Sequence, residues 1–239
     1  MTILTQDKVF AVRVRPHTKI LCALIAIDIL LIFAYVAGQI AVSAGILSDM
    51  PGRLNIEIDY AIAEKFNVFK WALAAMALAA AFVFSRKWAW AVLMACFILL
   101  GLDDSQSGHE TFGTTAGLSV FEYLQVTSFF GLDQQVIGEL IVLAGMGILV
   151  FGAIAIAWIR SNPDIRAKLI PFFIALIALS VCGVIFDAVH ATLITPGTVG
   201  LLNTILGILE DGGEMIFISI LCALSFGVLF EYLNLRHKL

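Results

Sequence analysis

Six stretches of this chain are apolar over lengths that suit a membrane, at about 20–46, 69–84, 88–102, 135–159, 169–190 and 214–234. A helix crossing about 30 Å of hydrocarbon needs roughly 17–25 mostly apolar residues. Only helices and closed barrels satisfy their backbone polar groups inside a bilayer. Barrel strands alternate polar and apolar residues, and these runs do not. The expected fold is therefore all-α, a polytopic transmembrane helical bundle of about six spans. The runs at 69–84 and 88–102 are short and must borrow flanking residues or tilt little.

Composition supports the same class. Of 239 residues, 61% are hydrophobic and 13% charged, against about 45–50% and about 25% in soluble domains. That excludes a soluble enzyme. A net charge of -4 without a basic stripe excludes a nucleic-acid partner, and the implied partner is the lipid bilayer.

Charge orients the bundle. With the N-terminus in the cytoplasm, eleven Lys and Arg lie inside, in the leader, the turns after spans 2 and 4, and the tail. Only Arg53, Lys65 and Lys70 fall outside. The positive-inside rule favours this arrangement, with both termini cytoplasmic. The nineteen-residue charged leader and the length of the first apolar run argue against a cleavable signal peptide. Cys22, Cys96, Cys182 and Cys222 all fall within spans, so no exported disulfide framework is expected.

Three segments read as interfacial helices on the outer face. Residues 51–68 carry Leu54, Ile58, Ile62 and Phe66 at i, i+4 steps, interleaved with Glu57, Asp59 and Glu64. They predict an amphipathic lead-in to span 2. Residues 112–131 are apolar but too polar for a seventh span and read as an interfacial or re-entrant helix covering the bundle, and residues 198–209 look similar. With no repeat, low-complexity tract or long linker, residues 1–239 form one integral membrane domain.

Three strings concentrate the unusual residues: LDDSQSGHE at 102–110, FDAVH at 186–190 and EDGGEM at 210–215. Counting along the spans puts all three at the outer membrane boundary. Asp187 and His190 share a helix face at i, i+3, and Glu210 and Glu214 share one at i, i+4 if the helix persists through Gly212-Gly213. Seven carboxylates cannot crowd a low-dielectric boundary uncompensated; they protonate, pair or bind a metal. The candidate metal ligands are Asp103, Asp104, His109, Glu110, Asp187, His190, Glu210 and Glu214, with Glu139 near the start of span 4 as a further neighbour. Such a carboxylate-rich set with two His suits a divalent metal ion, iron or manganese before zinc. Its stoichiometry allows a dinuclear site like those in helical bundles, although their paired Glu-x-x-His motifs are replaced here by one Asp-x-x-His and a His-Glu pair. Acids at the N-terminus of span 6 also favour its dipole, but Asp103, Asp104 and Asp187 lie at C-terminal helix ends, where acids are disfavoured. Asp28 lies about 12 Å into span 1 at about 1.5 Å per residue. An intramembrane carboxylate costs about 2.5–3.5 kcal/mol on the insertion scale, which marks it as functional.

The strings LDDSQSGHE, FDAVH and LEDGGEM, with IDYAIAEKFNVFK before span 2, resemble the signature strings of a family of uncharacterised bacterial multi-pass membrane proteins. The resemblance covers roughly residues 50–220 and implies a bacterial inner-membrane location, with no activity attached. Seven-helix membrane zinc hydrolases such as alkaline ceramidases also gather Asp and His at one bilayer face, but their His-x-x-x-His string is missing here. The leading expectation is a metalloenzyme, hydrolase or oxidoreductase, acting on a lipid-like or quinone-like substrate. The alternatives are a cation or proton transporter with Asp28 as a deeper relay, and a non-catalytic subunit of a larger membrane complex or homo-oligomer.

Overall fold

The computed structural model describes residues 16–125, 132–194 and 200–236. These form an all-α bundle containing six helices long and apolar enough to cross a membrane. In chain order they are α1 (Pro16–Ser43), α2 (Ile62–Ser85), α3 (Trp88–Gln106) and α5 (Gln134–Ile159), with the shorter α4 (Gly108–Leu124) between the last two. The remaining two are compound. Helix α6 runs Pro163–Ser180, a π-helical turn at Val181–Phe186, then Asp187–Leu193. Helix α7 runs Leu201–Gly207, a π-helical turn at Ile208–Gly212, then Gly213–Arg236.

Local chemistry sets the boundaries. Arg86 takes a left-handed conformation (φ 56°) that ends α2, and α3 starts two residues later at Trp88. The Asn162 side chain accepts from Ile165 N at 3.0 Å, and Pro163 follows at the first helical position, where its missing N–H costs nothing. Asp133, an acid that reads in the sequence as solvated loop, is the N-cap of α5 and accepts from Val136 N at 3.0 Å.

The core is aromatic and small-residue packing among α2, α3, α6 and α7. Trp71 meets Phe97 edge-on at 5.1 Å between centroids, and Phe97 tilts against Phe172 at 6.2 Å. Large apolar side chains such as Leu30, Phe33, Ile148 and Leu149 remain on the exterior. In water that would be a liability; on helices of spanning length it is the face a bilayer covers.

Several expectations are corrected. The lead-in at 51–61 is not helical: it holds a single 3-10 turn at Gly52–Leu54, and α2 starts only at Ile62. Its apolar pattern inverts, with Ile56 buried while Leu54, Ile58 and Ile62 are exposed. Residues 201–209 form no separate interfacial helix but the first turns of α7; 198 and 199 lie outside the described residues. Residues 112–124 belong to α4, a helix outside the six spans that runs antiparallel to the first turns of α5; 126–131 lie outside the described residues. Glycines let that pair touch backbone to backbone: a Cβ on Gly138 would meet Gly113 O at 1.8 Å, and one on Gly117 would meet Gln134 O at 1.9 Å. Lys70 is not in an outer loop but fully buried within α2. Of the four thiols, Cys96, Cys182 and Cys222 are buried and Cys22 is exposed.

Candidate functional site

One end of the bundle encloses a cavity of about 400 Å³. Its walls come from the loop before α2 and from α2, α3, α4, α5, α6 and α7. All eight residues singled out in the sequence line it: Asp103, Asp104, His109, Glu110, Asp187, His190, Glu210 and Glu214. Glu139 lines it too. Among the described residues lining the cavity there is no Lys or Arg.

The two π-helical turns pack against each other beneath the rim. A π turn widens the helix by one residue and re-aims the side chains after it. Here the turns lead into Asp187–His190 on α6 and hold Glu210 and Asp211 on α7. Helix α7 persists through Gly212-Gly213, so Glu214 follows on the same continuous element. Small residues make room for the carboxylates. A Cβ on Gly183 would stand 1.8 Å from Glu214 Oε1, and one on Gly207 would stand 2.2 Å from Glu57 Oε1.

The imidazoles anchor opposite parts of the rim. His109 Nδ1 lies 2.9 Å from Asp103 Oδ2, and its Nε2 has no hydrogen-bond partner among the described residues. That bond holds the His109 pKa up, at about 9, against the opposing effect of burial, and Glu110 and Glu139 add to it. Burial pushes the Glu110 carboxyl up as well, with the charge of Asp59 contributing. His190 is held on both sides, with Nδ1 at 2.7 Å from Glu210 Oε2 and Nε2 at 3.0 Å from Asn203 Oδ1. These contacts are pairwise: among the described residues no three His, Cys, Asp or Glu side chains stand grouped closely enough to hold a metal ion.

The site contains more than the eight residues singled out in the sequence as candidate ligands. Glu57, Asp59, Glu64, Asn67 and Asp211 also line the cavity. Glu57 accepts from the buried Tyr35 hydroxyl at 2.5 Å, and Asp59 accepts from Ser107 Oγ at 2.6 Å. Tyr60 N donates to the Glu64 carboxylate. The sequence signal for these acids was present in their density before span 2, but assignment to an interfacial helix face sent them toward water.

Asp28 does not line the cavity. It pairs with Lys70 at 2.9 Å, both side chains fully buried, and accepts from Ser219 Oγ at 2.5 Å. Lys70 also donates to Met215 O at 2.7 Å and sits 4.8 Å from the Phe66 ring centroid. The ammonium group is thereby committed on three sides, and the cluster ties α1, α2 and α7 together next to Glu214.

Fold and site together define a multi-pass helical membrane protein with an acidic, histidine-bearing cavity at one end of the bundle. The chain belongs to the family described as a domain of unknown function, DUF8692, whose model matches residues 23–228. No curated protein and no solved structure matches it.

Proposed function

We propose that this protein is a metal-dependent enzyme of the bacterial inner membrane, with its centre in the acidic cavity and a lipid-like or quinone-like substrate. The observation that carries the reading is the convergence of two imidazoles and eleven carboxylates on one cavity without a lining ammonium or guanidinium group. Such a charge set at a membrane boundary requires compensation. A divalent cation supplies it in the least volume.

His109 is the foremost donor. Asp103 engages Nδ1 and leaves Nε2 open, which is the carboxylate–imidazole arrangement that orients metal-bound histidines. Asp187, Glu110 and Glu139 line the same cavity and would close in on it to complete a ligand set, and His190 with Glu210 forms the second candidate pair, whose imidazole reaches an ion only by giving up Asn203 or Glu210. The mixture of carboxylate and imidazole suits iron or manganese, and accommodates zinc. When bound, such an ion supplies Lewis acidity or, if redox-active, oxygen chemistry.

The substrate class follows from the rest of the lining. Leu143, Met146, Phe151, Leu179 and Ile218 continue the cavity into the apolar bundle beneath the carboxylates. A molecule with a polar head and an apolar body matches that gradient. The excess of Lys and Arg at the opposite end of the bundle supports a periplasmic position for the site.

Elemental analysis of the detergent-purified protein tests the reading, beside a His109→Ala/His190→Ala variant that elutes as a folded species. Near-stoichiometric iron, manganese or zinc, lost in the variant, is expected. A folded wild-type protein without any of these metals overturns it.

A further inference from the structure

The floor of the cavity holds two acceptor oxygens that nothing among the described residues satisfies. Asn67, on α2, is 6% exposed, and its Oδ1 has no hydrogen-bond partner among the described residues. Asp104, on α3, has a buried Oδ2 without one. Both residues line the cavity. Leaving a buried acceptor unpaired is costly, and native structures rarely carry such atoms without a reason.

The helix register sets these two residues at the same level on neighbouring helices. Helices α2 and α3 are antiparallel neighbours joined by a two-residue turn, and Gly101 of α3 lies against Trp71 of α2, where an added Cβ would be 2.8 Å from the Trp71 Cβ. One helical turn toward the cavity on each helix gives Asn67 and Asp104. Glu64, three residues before Asn67 on the same face, and Glu214 of α7 are acidic neighbours of Asp104. Lys70, one turn deeper on α2, cannot serve the pair, because its donors are committed to Asp28, Met215 O and the Phe66 ring.

We propose that Asn67 Oδ1 and Asp104 hold a hydrated hard divalent cation, magnesium or calcium, at the floor of the cavity, separate from the histidine-bearing rim. The donors are an amide oxygen and a carboxylate, with no nitrogen or sulfur. Hard cations take such oxygen ligands, and magnesium in particular keeps several waters and uses one or two carboxylates. A site of this kind needs no cage of three acidic side chains. It shares Asp104 with the acids on which the enzymatic reading rests but adds Asn67, which that reading does not use, and it persists if the rim binds no transition metal.

The test is calorimetric titration of the chelator-treated, detergent-solubilised full chain with magnesium chloride and with calcium chloride. The wild type is expected to bind one equivalent of one or both ions, and the His109→Ala/His190→Ala variant to bind it equally well. Asn67→Leu, which leaves the charge unchanged, is expected to weaken binding at least about tenfold, the lower end of what removing even an outer-shell partner costs. Asp104→Asn is expected to abolish it. Asn67→Asp keeps an oxygen donor and is expected to restore binding, which separates loss of a ligand from misfolding. Absence of binding to the folded wild type, or binding indifferent to Asn67→Leu, overturns the proposal. Loss of binding only in the histidine variant also overturns it, and assigns the ion to the rim.

Discussion

The Lys70–Asp28 pair gives the sharpest test of how this bundle is held together. Both side chains are fully buried, Nζ to Oδ1 is 2.9 Å, and each partner has one further hydrogen bond, Lys70 to Met215 O and Asp28 from Ser219. Lys70→Met leaves Asp28 as a buried charge with only the Ser219 hydroxyl. Asp28→Leu leaves Lys70 with only a carbonyl and an aromatic face. Removing one partner of a buried pair costs about 3–5 kcal/mol, chiefly through the charge left behind, whereas replacing both with apolar residues is often neutral. The double variant strands only neutral groups, Met215 O and Ser219 Oγ, at about 1–3 kcal/mol each at most. Lys70→Met/Asp28→Leu is therefore expected to be more stable than either single variant. Thermal unfolding of the three proteins and the wild type in one detergent measures this. Equal stability of Lys70→Met and wild type, or a double variant whose loss equals the sum of the singles, refutes the argument. Cation flux in proteoliposomes that disappears in Asp28→Asn would instead make the pair a relay.

The Asp103–His109 pair gives a prediction in pH. The folded-state pKa of His109 is raised to about 9, above its unfolded value of about 6.5. The pair therefore contributes stability in full below about pH 6.5 and loses it as pH rises through about 9. Because the imidazole is 30% exposed, solvent screening limits the contribution to about 1–2 kcal/mol. Asp103→Asn in chelator should lower the melting temperature at pH 6 and barely change it at pH 10, and a pH-independent difference would count against the pairing. Gly183→Ala places a methyl group on the Glu214 carboxylate, a clash worth about 1–3 kcal/mol. It should lower both stability and bound metal, while Gly145→Ala, whose Cβ meets nothing within 4 Å, should leave both unchanged.

The spans were legible because a bilayer imposes one rule on every helix that crosses it, and apolar length reports that rule directly. What the sequence hid lies where the chain departs from a regular helix. Residues 51–61 show helical periodicity, but Asn55 Oδ1 captures the Glu57 N–H at 3.1 Å and Tyr60 takes a positive φ of 61°, so local side-chain bonds displace the helix. Residues 201–209 read as a separate segment because polar Glu210 and Asp211 interrupt the hydropathy, yet a π-helical turn carries the backbone through them.

The site was legible in part for the same reason. Acids at the ends of apolar runs must converge at one depth, and counting residues along spans gives that depth. Which acids share a cavity depends on lateral packing, to which depth is blind. Glu57 and Asp59 reach the cavity through an irregular loop, and Asn67 is an uncharged residue within an apolar helix, which no charge count would single out. Lys70 shows the limit most plainly. Hydropathy sends a lysine near a span boundary outward, and only a partner 42 residues away in sequence makes its burial tolerable. Charge at a span edge therefore locates a residue only after its opposite charge has been found. The excess acids of the cavity are evidence for a cation because no Lys or Arg lines it among the described residues, and Lys70 beneath it is already engaged by Asp28.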